Sequence, residues 1–276
     1  MDSEDSIRLI AFLGVLAVMA LWEAIAPRRS RSLSRVVRWP NNLGVAALNV
    51  LMVRIAIPLV AVDFAGMGEL ESWGLFNNLP HRFDAYLPWS AIIPAVILLD
   101  LAIYFQHVMF HAVPALWRFH RMHHADLDLD VTSGARFHPG EIAISLMVKI
   151  AAVVVIGAPP EAVIIFEVAL NATSMFNHSN VYIAERIDRM LRWVTVTPDM
   201  HRIHHSIERI ETNSNFGFNL SWWDRILGTY RKAPAAGQRA MVIGIEQFRA
   251  PREAWLDRML LQPFRGEPVG YPFNES

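Results

Sequence analysis

The residues in this chain that could do chemistry are histidines gathered in short motifs. An HxxxH pair (His107, His111) and an HxxHH triplet (His120, His123, His124) lie within QHVMFHAVPALWRFHRMHH, and a second HxxHH follows (His201, His204, His205). Residues three or four positions apart share one face of a helix, so each motif presents its imidazoles together. The three motifs contain eight imidazoles, and the lone His178 would be a ninth. One metal ion takes about four to six ligands, so this number fits two metal ions better than one.

Metal binding explains this clustering better than packing does. Each neutral imidazole carries a donor and an acceptor, so a buried cluster without metal would leave polar groups unsatisfied. Ligation by imidazole alone suits Zn, Fe, Cu or Ni and disfavours Mg and Ca. The chain has no HExxH and no Glu three residues before a histidine. That excludes a zincin and the Glu-x-x-His motif of soluble ferritin-like di-iron proteins.

The composition indicates a membrane protein. Of the 276 residues, 53% are hydrophobic and 18% are charged, and the mean hydropathy is +0.27. Charged residues make up about 25% of typical soluble domains. The net charge of -1 gives no indication of a nucleic-acid partner. The absence of cysteine excludes disulfides, thiolate metal sites, iron–sulfur clusters and cysteine nucleophiles.

Apolar segments predict that the histidines lie at a membrane boundary. Ile7–Ala26, Leu43–Ala65 and Pro88–Ala112 are each long enough to cross a hydrocarbon core of about 30 Å. Five arginines between residues 28 and 38 follow the first span, and basic flanks are typically cytoplasmic. The N-terminus is therefore predicted to face outward. Residues 66–87, with three acidic residues and one arginine, are predicted to form an external loop.

Two further apolar runs return the chain to the cytoplasmic side. Ile142–Gly157 and Glu161–Phe176 flank Pro159 and Pro160. Each is about 24 Å long as a helix, short for a full crossing, so a hairpin is predicted. The expected fold is an all-α integral membrane protein with about three transmembrane helices, this helical hairpin and a cytoplasmic, histidine-rich helical cap. Its regions are residues 1–87 (transmembrane), 88–232 (catalytic) and 233–276 (C-terminal tail).

Several polar residues are candidates for supporting the site. Asp100 shares a face of the third span with His107 and His111. It either accepts a hydrogen bond from a ligand imidazole or is satisfied by a neighbouring helix or by Arg54. His138 either supports the site or begins a helix, and Asn215 lies in a loop expected close to the site.

Two further segments lie away from the predicted site. His81, in the external loop, is predicted to be a surface histidine. Residues 248–264 are predicted either to form an amphipathic helix in the membrane interface or to pack on the catalytic region.

The motifs carry a family resemblance. QHVMFH, LWRFHRMHH, RFHPGE, FNHSN and TPDMHRIHHSIERIETNSNFGFNLSWWDRILGTY resemble the fatty acid hydroxylase superfamily, also called the sterol desaturase family, over roughly residues 88–230. The resemblance implies an integral-membrane, O₂-dependent di-iron enzyme. It also implies that the metal ligands are His107, His111, His120, His123, His124, His178, His201, His204 and His205. Two departures are Val108, where many members have Arg, and Ser174, where some have a further histidine; the second suggests that the irons are coordinated unequally.

The resemblance also implies the reaction class. Members hydroxylate or desaturate sterols, fatty acyl chains, sphingolipids or alkylglycerols, with two non-haem Fe ions as cofactor and O₂ as co-substrate. The lipid would come from the bilayer. Electrons would come from an external donor such as a cytochrome b5-like protein, a ferredoxin or a reductase, since the chain has no redox module of its own. The alternative is a zinc-dependent membrane hydrolase or a metal-binding membrane protein, and zinc can also replace iron in isolated protein.

Overall fold

The computed structural model describes residues 3–56, 59–78 and 89–267, and within these ranges the chain is helical, without a β-strand. This confirms the predicted all-α class. The helices are α1 (Ser3–Ile25), α2 (Arg35–Ala56), α3 (Ala61–Glu71), α4 (Gly74–Asn77), α5 (Trp89–Ala112), α6 (Pro114–His124), α7 (Pro139–Ile156), α8 (Pro160–His178), α9 (Glu185–Leu191), α10 (Pro198–His204), α11 (Arg209–Thr212), α12 (Trp222–Ile226), α13 (Gly237–Ala240) and α14 (Leu256–Leu261), with 3-10 helices at Val131–Ala135, Pro251–Ala254 and Gln262–Phe264.

Long apolar helices make this a multi-pass membrane protein. Four segments are long and apolar enough to cross a membrane: Glu4–Ile25, Arg35–Asn77, Trp89–Ala112 and Pro139–Ile156. The first and third match the predicted first and third spans. The second contains three helices, α2 to α4, and its residues 57–58 lie outside the described part of the chain.

The second predicted span is therefore wrong in its bounds. α2 begins at Arg35, eight residues before the predicted start at Leu43, and ends at Ala56. A new helix starts at Ala61 because Val60 is extended and its N–H donates to the Asp63 carboxylate at 2.7 Å. The predicted external loop also proves helical as far as Asn77. His81 falls among residues 79–88, outside the described residues.

The predicted hairpin corresponds to α7 and α8, but α7 packs mainly against α3 and α5, and α8 mainly against α1 and the 3-10 helix Val131–Ala135, instead of against each other. Their 18 and 19 residues give lengths of about 27 and 28 Å, more than the predicted 24 Å. Their turn meets the start of α4, where Gly157 and Gly74 both have positive φ and a Cβ on Gly74 would lie 2.3 Å from the Gly157 nitrogen. Only glycine fits this contact, which lies at the end of α7 far from the histidines.

A buried arginine joins α2 to the loop that follows the first HxxHH. The Arg38 guanidinium donates to Asp126 at 2.7 and 3.1 Å, to the Ser133 hydroxyl at 3.0 Å, and also to Asp130 and the carbonyl of Asp128. Another arginine of the same cluster, Arg28, bonds Asp199 on α10. The arginines after α1 therefore lie at the same end of the molecule as the histidine motifs.

Replacing Arg38 tests whether this network holds the cap to the membrane helices. Arg38→Ala should lower the free energy of unfolding by about 3–5 kcal/mol, because it removes the guanidinium that pairs with the buried carboxylates of Asp126 and Asp130 and leaves only Arg136, 4.0 Å from Asp126. The measurement is the apparent melting temperature in detergent. Arg252→Ala, which breaks an exposed pair with Asp257, is the matched control and should change it little. Equal melting temperatures for the two variants would contradict the assignment.

Candidate metal centre

Four helices converge to form the site. His107 and His111 lie on the last two turns of α5, the first triplet on α6, His178 at the end of α8, and the second triplet on α10 and its C-cap. Val113 is extended and Pro114 occupies the first position of α6, which ends α5 and returns the chain beside it. Thr197 begins α10 by accepting a hydrogen bond from the Met200 N–H.

The nine predicted histidines fall into two groups. One contains five residues (His107, His111, His120, His124, His204) and the other four (His123, His178, His201, His205), with the candidate ligand nitrogens of each group within 4.8 Å of one another. Each HxxHH contributes to both groups, because its two adjacent histidines point in directions about 100° apart on the helix. All nine side chains are buried, so both groups are shielded from bulk solvent.

In the group of four, two imidazoles face each other through their lone pairs. The Nε2 atoms of His123 and His178 lie 2.9 Å apart. Their Nδ1 atoms face the carbonyls of Arg136 at 3.1 Å and Ser174 at 2.6 Å. A carbonyl only accepts, so each Nδ1 carries the proton and each Nε2 is a bare acceptor. Two acceptors this close have no proton to share, and a metal cation bound by both would satisfy them.

The group of five repeats the arrangement. The Nε2 atoms of His107 and His120 lie 3.1 Å apart, and their Nδ1 atoms donate to the Phe216 carbonyl at 2.7 Å and the Glu141 carboxylate at 2.6 Å. Nε2 of His204 has no hydrogen-bond partner among the described residues. Both groups therefore have the donor set and orientation that a metal ion needs.

Burial keeps the imidazoles of the cap uncharged. It lowers the pKa of His123, His124, His201, His204 and His205 well below the ordinary value of 6.5, and neighbouring imidazoles lower each further. These side chains are thus neutral at pH 7, and the neutral imidazole is the form that binds a metal.

The residues that orient the imidazoles were mostly missed by sequence reasoning. Glu141 accepts a hydrogen bond from His120, and the Asn213 side chain lies 3.2 Å from Nδ1 of His111. The remaining acceptors are backbone carbonyls, including that of Ser214 for His204. A backbone carbonyl carries no sequence signal. Glu141 had a weak one, as a carboxylate in the first turn of a helix beside a histidine-rich segment.

Asp100 does not support a histidine, contrary to one predicted role. Its carboxylate accepts from the Asn219 side chain at 2.9 Å, the Leu220 N–H at 3.2 Å and the Trp223 indole at 2.8 Å. Asp100 is seven residues before His107 and therefore about 10 Å away from it along α5. At that position its carboxylate accepts hydrogen bonds from the chain around residues 219–223 instead of from an imidazole. The predicted alternative partner, Arg54, pairs with Asp5 on α1 instead.

His138 and Asn215 also have structural roles. His138 is the N-cap of α7: its Nδ1 accepts from the Gly140 N–H at 3.0 Å, so the predicted helix-start alternative holds. Asn215 has a φ of 54°, and its side chain bonds the backbone of Met200 and Arg231. It fixes the loop beside α10 and makes no side-chain hydrogen bond to an imidazole among the described residues.

Comparisons with known proteins find sequence relatives of the part of the chain that carries the histidines. The family model for fatty acid hydroxylases matches residues 92–229, which include all nine histidines. An ornithine lipid hydroxylase from Rhizobium tropici is 25% identical over 226 residues, covering 82% of this chain and 67% of that protein. No solved structure matches this chain significantly.

Two animal enzymes are similar over the same region. The human alkylglycerol monooxygenase is 28% identical over 58% of this chain and 34% of its own length. The human cholesterol 25-hydroxylase is 26% identical over 56% of this chain and 57% of its own length. The chain thus spans only about a third of the first enzyme and about half of the second.

Metal content tests the two groups directly. His204→Ala removes an imidazole from the group of five and His123→Ala one from the group of four, so each should lower the metal bound per purified chain. Glu141→Ala keeps all nine imidazoles but removes the carboxylate that orients His120, and should weaken metal binding about 10- to 100-fold. Elemental analysis and competition with a chelator measure both effects.

The control is a histidine outside the groups. His138→Asn retains an N-cap acceptor for α7 and should leave the metal content unchanged. Wild-type metal content and affinity in both His204→Ala and His123→Ala would show that these groups do not hold metal.

Proposed function

Because this chain belongs to the fatty acid hydroxylase family, we propose that it is an O₂-dependent, di-iron membrane oxidoreductase that hydroxylates or desaturates a lipid. The observation that carries the proposal is the pair of buried histidine groups, five and four imidazoles, at one end of a membrane helix bundle. The catalytic region is assigned to residues 88–232, with the family match inside it.

The residues assigned to the two irons are the two histidine groups. Five imidazoles exceed the tetrahedral set that structural zinc prefers, which favours iron for the larger group. Iron bound there supplies the redox chemistry that activates O₂ toward an unactivated C–H bond. The chain's own contribution is to orient rings of both groups: Nδ1–H of His120 donates to the Glu141 carboxylate, and Nδ1–H of His107, His123 and His178 donates to a backbone carbonyl, which turns each Nε2 inward.

The wall beside the metals is apolar. The Phe218 ring lies 4.9 Å from the His107 ring and 6.0 Å from the His201 ring, so it contacts one member of each group. Phe218 belongs to the apolar cluster that includes Leu99 and Phe166 of the membrane helices. Such a wall suits a hydrocarbon segment and excludes water from it. A membrane lipid is therefore the proposed substrate class, such as a sterol, fatty acyl chain, sphingolipid or alkylglycerol.

The names of the relatives fit this class. They are named for ornithine lipid, alkylglycerol and cholesterol, which share hydrocarbon but differ in headgroup. Insertion of one oxygen atom of O₂ into a C–H bond also consumes an electron pair and releases water. The absence of cysteine excludes an iron–sulfur cluster in this chain. The proposed source of the electrons is an external donor, such as a cytochrome b5-like protein, a ferredoxin or a reductase.

Isotope labelling tests the reaction class. Purified protein should contain about two irons per chain and consume O₂ only when lipid and a reductant are both present. In ¹⁸O₂, mass spectrometry should find the label in the new hydroxyl, or a product lighter by two hydrogens if the reaction is desaturation.

Label that arrives only from H₂¹⁸O would instead favour metal-assisted hydration or hydrolysis. If a zinc-loaded preparation turned over lipid without O₂, that result would support the zinc hydrolase alternative and contradict the proposed oxidation.

We also propose that the histidine end is cytoplasmic and that the N-terminus faces outward. The five arginines between residues 28 and 38 support this sidedness. Because the chain has no cysteine, single substitutions report it cleanly. Ser34→Cys and Glu208→Cys, both exposed at the histidine end, should react with an impermeant thiol reagent only from the cytoplasmic side, and the exposed Ser72→Cys only from outside. Labelling of Ser34→Cys and Glu208→Cys from opposite faces would overturn the topology.

A further inference from the structure

A patch of exposed apolar side chains lies on the cap, outside the proposed membrane spans. Its first half lies on α9 and the turn after it, and its second half lies on α12 and its C-cap. We call these exposed side chains the interfacial patch: Ile187, Met190, Leu191, Trp193, Val194, Trp222, Ile226 and Leu227. Met190, Trp193 and Ile226 are 73%, 66% and 70% exposed. Exposed apolar surface this contiguous is uncommon on the soluble face of a protein and marks a binding surface.

The two halves of the patch form one unit. The Trp222 indole donates to the Trp193 carbonyl at 2.8 Å, and the Arg225 guanidinium lies 4.3 Å over the Trp193 ring. In the first half, Ile187, Met190 and Leu191 follow the helical spacing of three and four residues on α9, so they share one face, and Val194 follows in the turn after this helix.

The patch is fastened beside a membrane helix. Trp223, next to Trp222, donates its indole N–H to Asp100, and Asp100 also accepts from the Leu220 N–H. Asp100 lies on the candidate span α5, about 10 Å from His107 toward the middle of the helix. The chain around α12 therefore extends along α5 to a depth that a membrane would cover. A carboxylate here satisfies backbone N–H groups that hydrocarbon cannot satisfy.

Basic side chains accompany the apolar ones. Arg186 and Arg189 are exposed on α9 beside Ile187 and Met190, and Arg225 lies partly exposed on α12. Tryptophan, aliphatic side chains and arginine together are the composition of a helix that lies in the headgroup layer of a membrane.

We infer that the interfacial patch is embedded in the bilayer interface, with Ile187, Met190, Trp193 and Ile226 among the acyl chains and Arg186 and Arg189 at the anionic headgroups. The occupant of this surface is lipid, because Trp223 and Leu220, beside Trp222 of the patch, are hydrogen-bonded to Asp100 on the candidate membrane span α5, and because exposed arginines flank the apolar side chains. It is a second membrane-contact surface, in addition to the spans.

This embedding has a consequence for the metal centre, which rests on the proposed function. The patch runs directly into Val196 and Thr197, which begin α10 with His201 and His204. The inserted surface would hold these ligands against the membrane, so that a lipid could reach the site without leaving the bilayer.

The experiment uses the full-length protein in vesicles of phosphatidylcholine and phosphatidylglycerol. Met190→Cys and Ile226→Cys are labelled separately with an environment-sensitive fluorophore. Glu208→Cys, exposed on the cap, is the aqueous control, and Ile10→Cys, exposed on α1, is the lipid-facing control. Quenching by nitroxide on shallow acyl positions should be several-fold stronger at positions 190 and 226 than at 208. Quenching by aqueous iodide should be several-fold weaker.

Iodide quenching at 190 and 226 equal to that at 208 would overturn the inference. Protection from iodide without nitroxide quenching would also overturn it, because a protein or a second copy of this chain would then cover the patch. The readout needs no turnover, so it can fail while the oxidation proposal stands, and the reverse also holds.

Discussion

The structure depends on imidazoles whose Nε2 lone pairs face one another. His123 and His178, and His107 and His120, approach to 2.9 and 3.1 Å with their protons held on the far side of each ring. Neutral acceptors do not attract each other, so the fold must hold them there until a cation compensates. Four helices and a set of acceptors on Nδ1 provide that hold. The helices position the rings, and the backbone carbonyls and the Glu141 carboxylate determine which ring nitrogen carries the proton.

The membrane imposes a second constraint, that polar groups at depth be satisfied internally. Lys149 on α7 and Arg8 on α1 both pair with Glu167 on α8, at 2.7 and 2.9 Å, which ties three helices together. Glu23 on α1 accepts from the Val131 and Asn180 N–H groups. Glu23 therefore ties α1 to the 3-10 helix Val131–Ala135 and to the chain just after α8, which ends with His178.

Helix periodicity predicted the ligands but misassigned their neighbours. Asp100 lies on the same face as His107, as predicted, yet two turns of helix separate their side chains, and a loop from 119 residues later supplies its partners. Residues 248–264, predicted either to lie in the membrane interface or to pack on the catalytic region, pack Leu256 and Met259 on Val45 and Met122, which is the second alternative. In both cases helix spacing was compatible with two arrangements, and contacts with residues distant in sequence decided between them.

The sequence by itself determined the helical class, the membrane character, the first and third spans and the nine candidate ligands. The class, the spans and eight of the ligands depend on composition and on spacing within one helix, which are local properties, whereas the lone His178 was assigned through the family resemblance. Only the tertiary structure decided the division into five and four imidazoles, since each HxxHH contributes to both groups. It also decided the roles of Glu141 and Asn213, because a hydrogen bond to a ring nitrogen depends on how separate helices pack, and no periodicity within one segment encodes that.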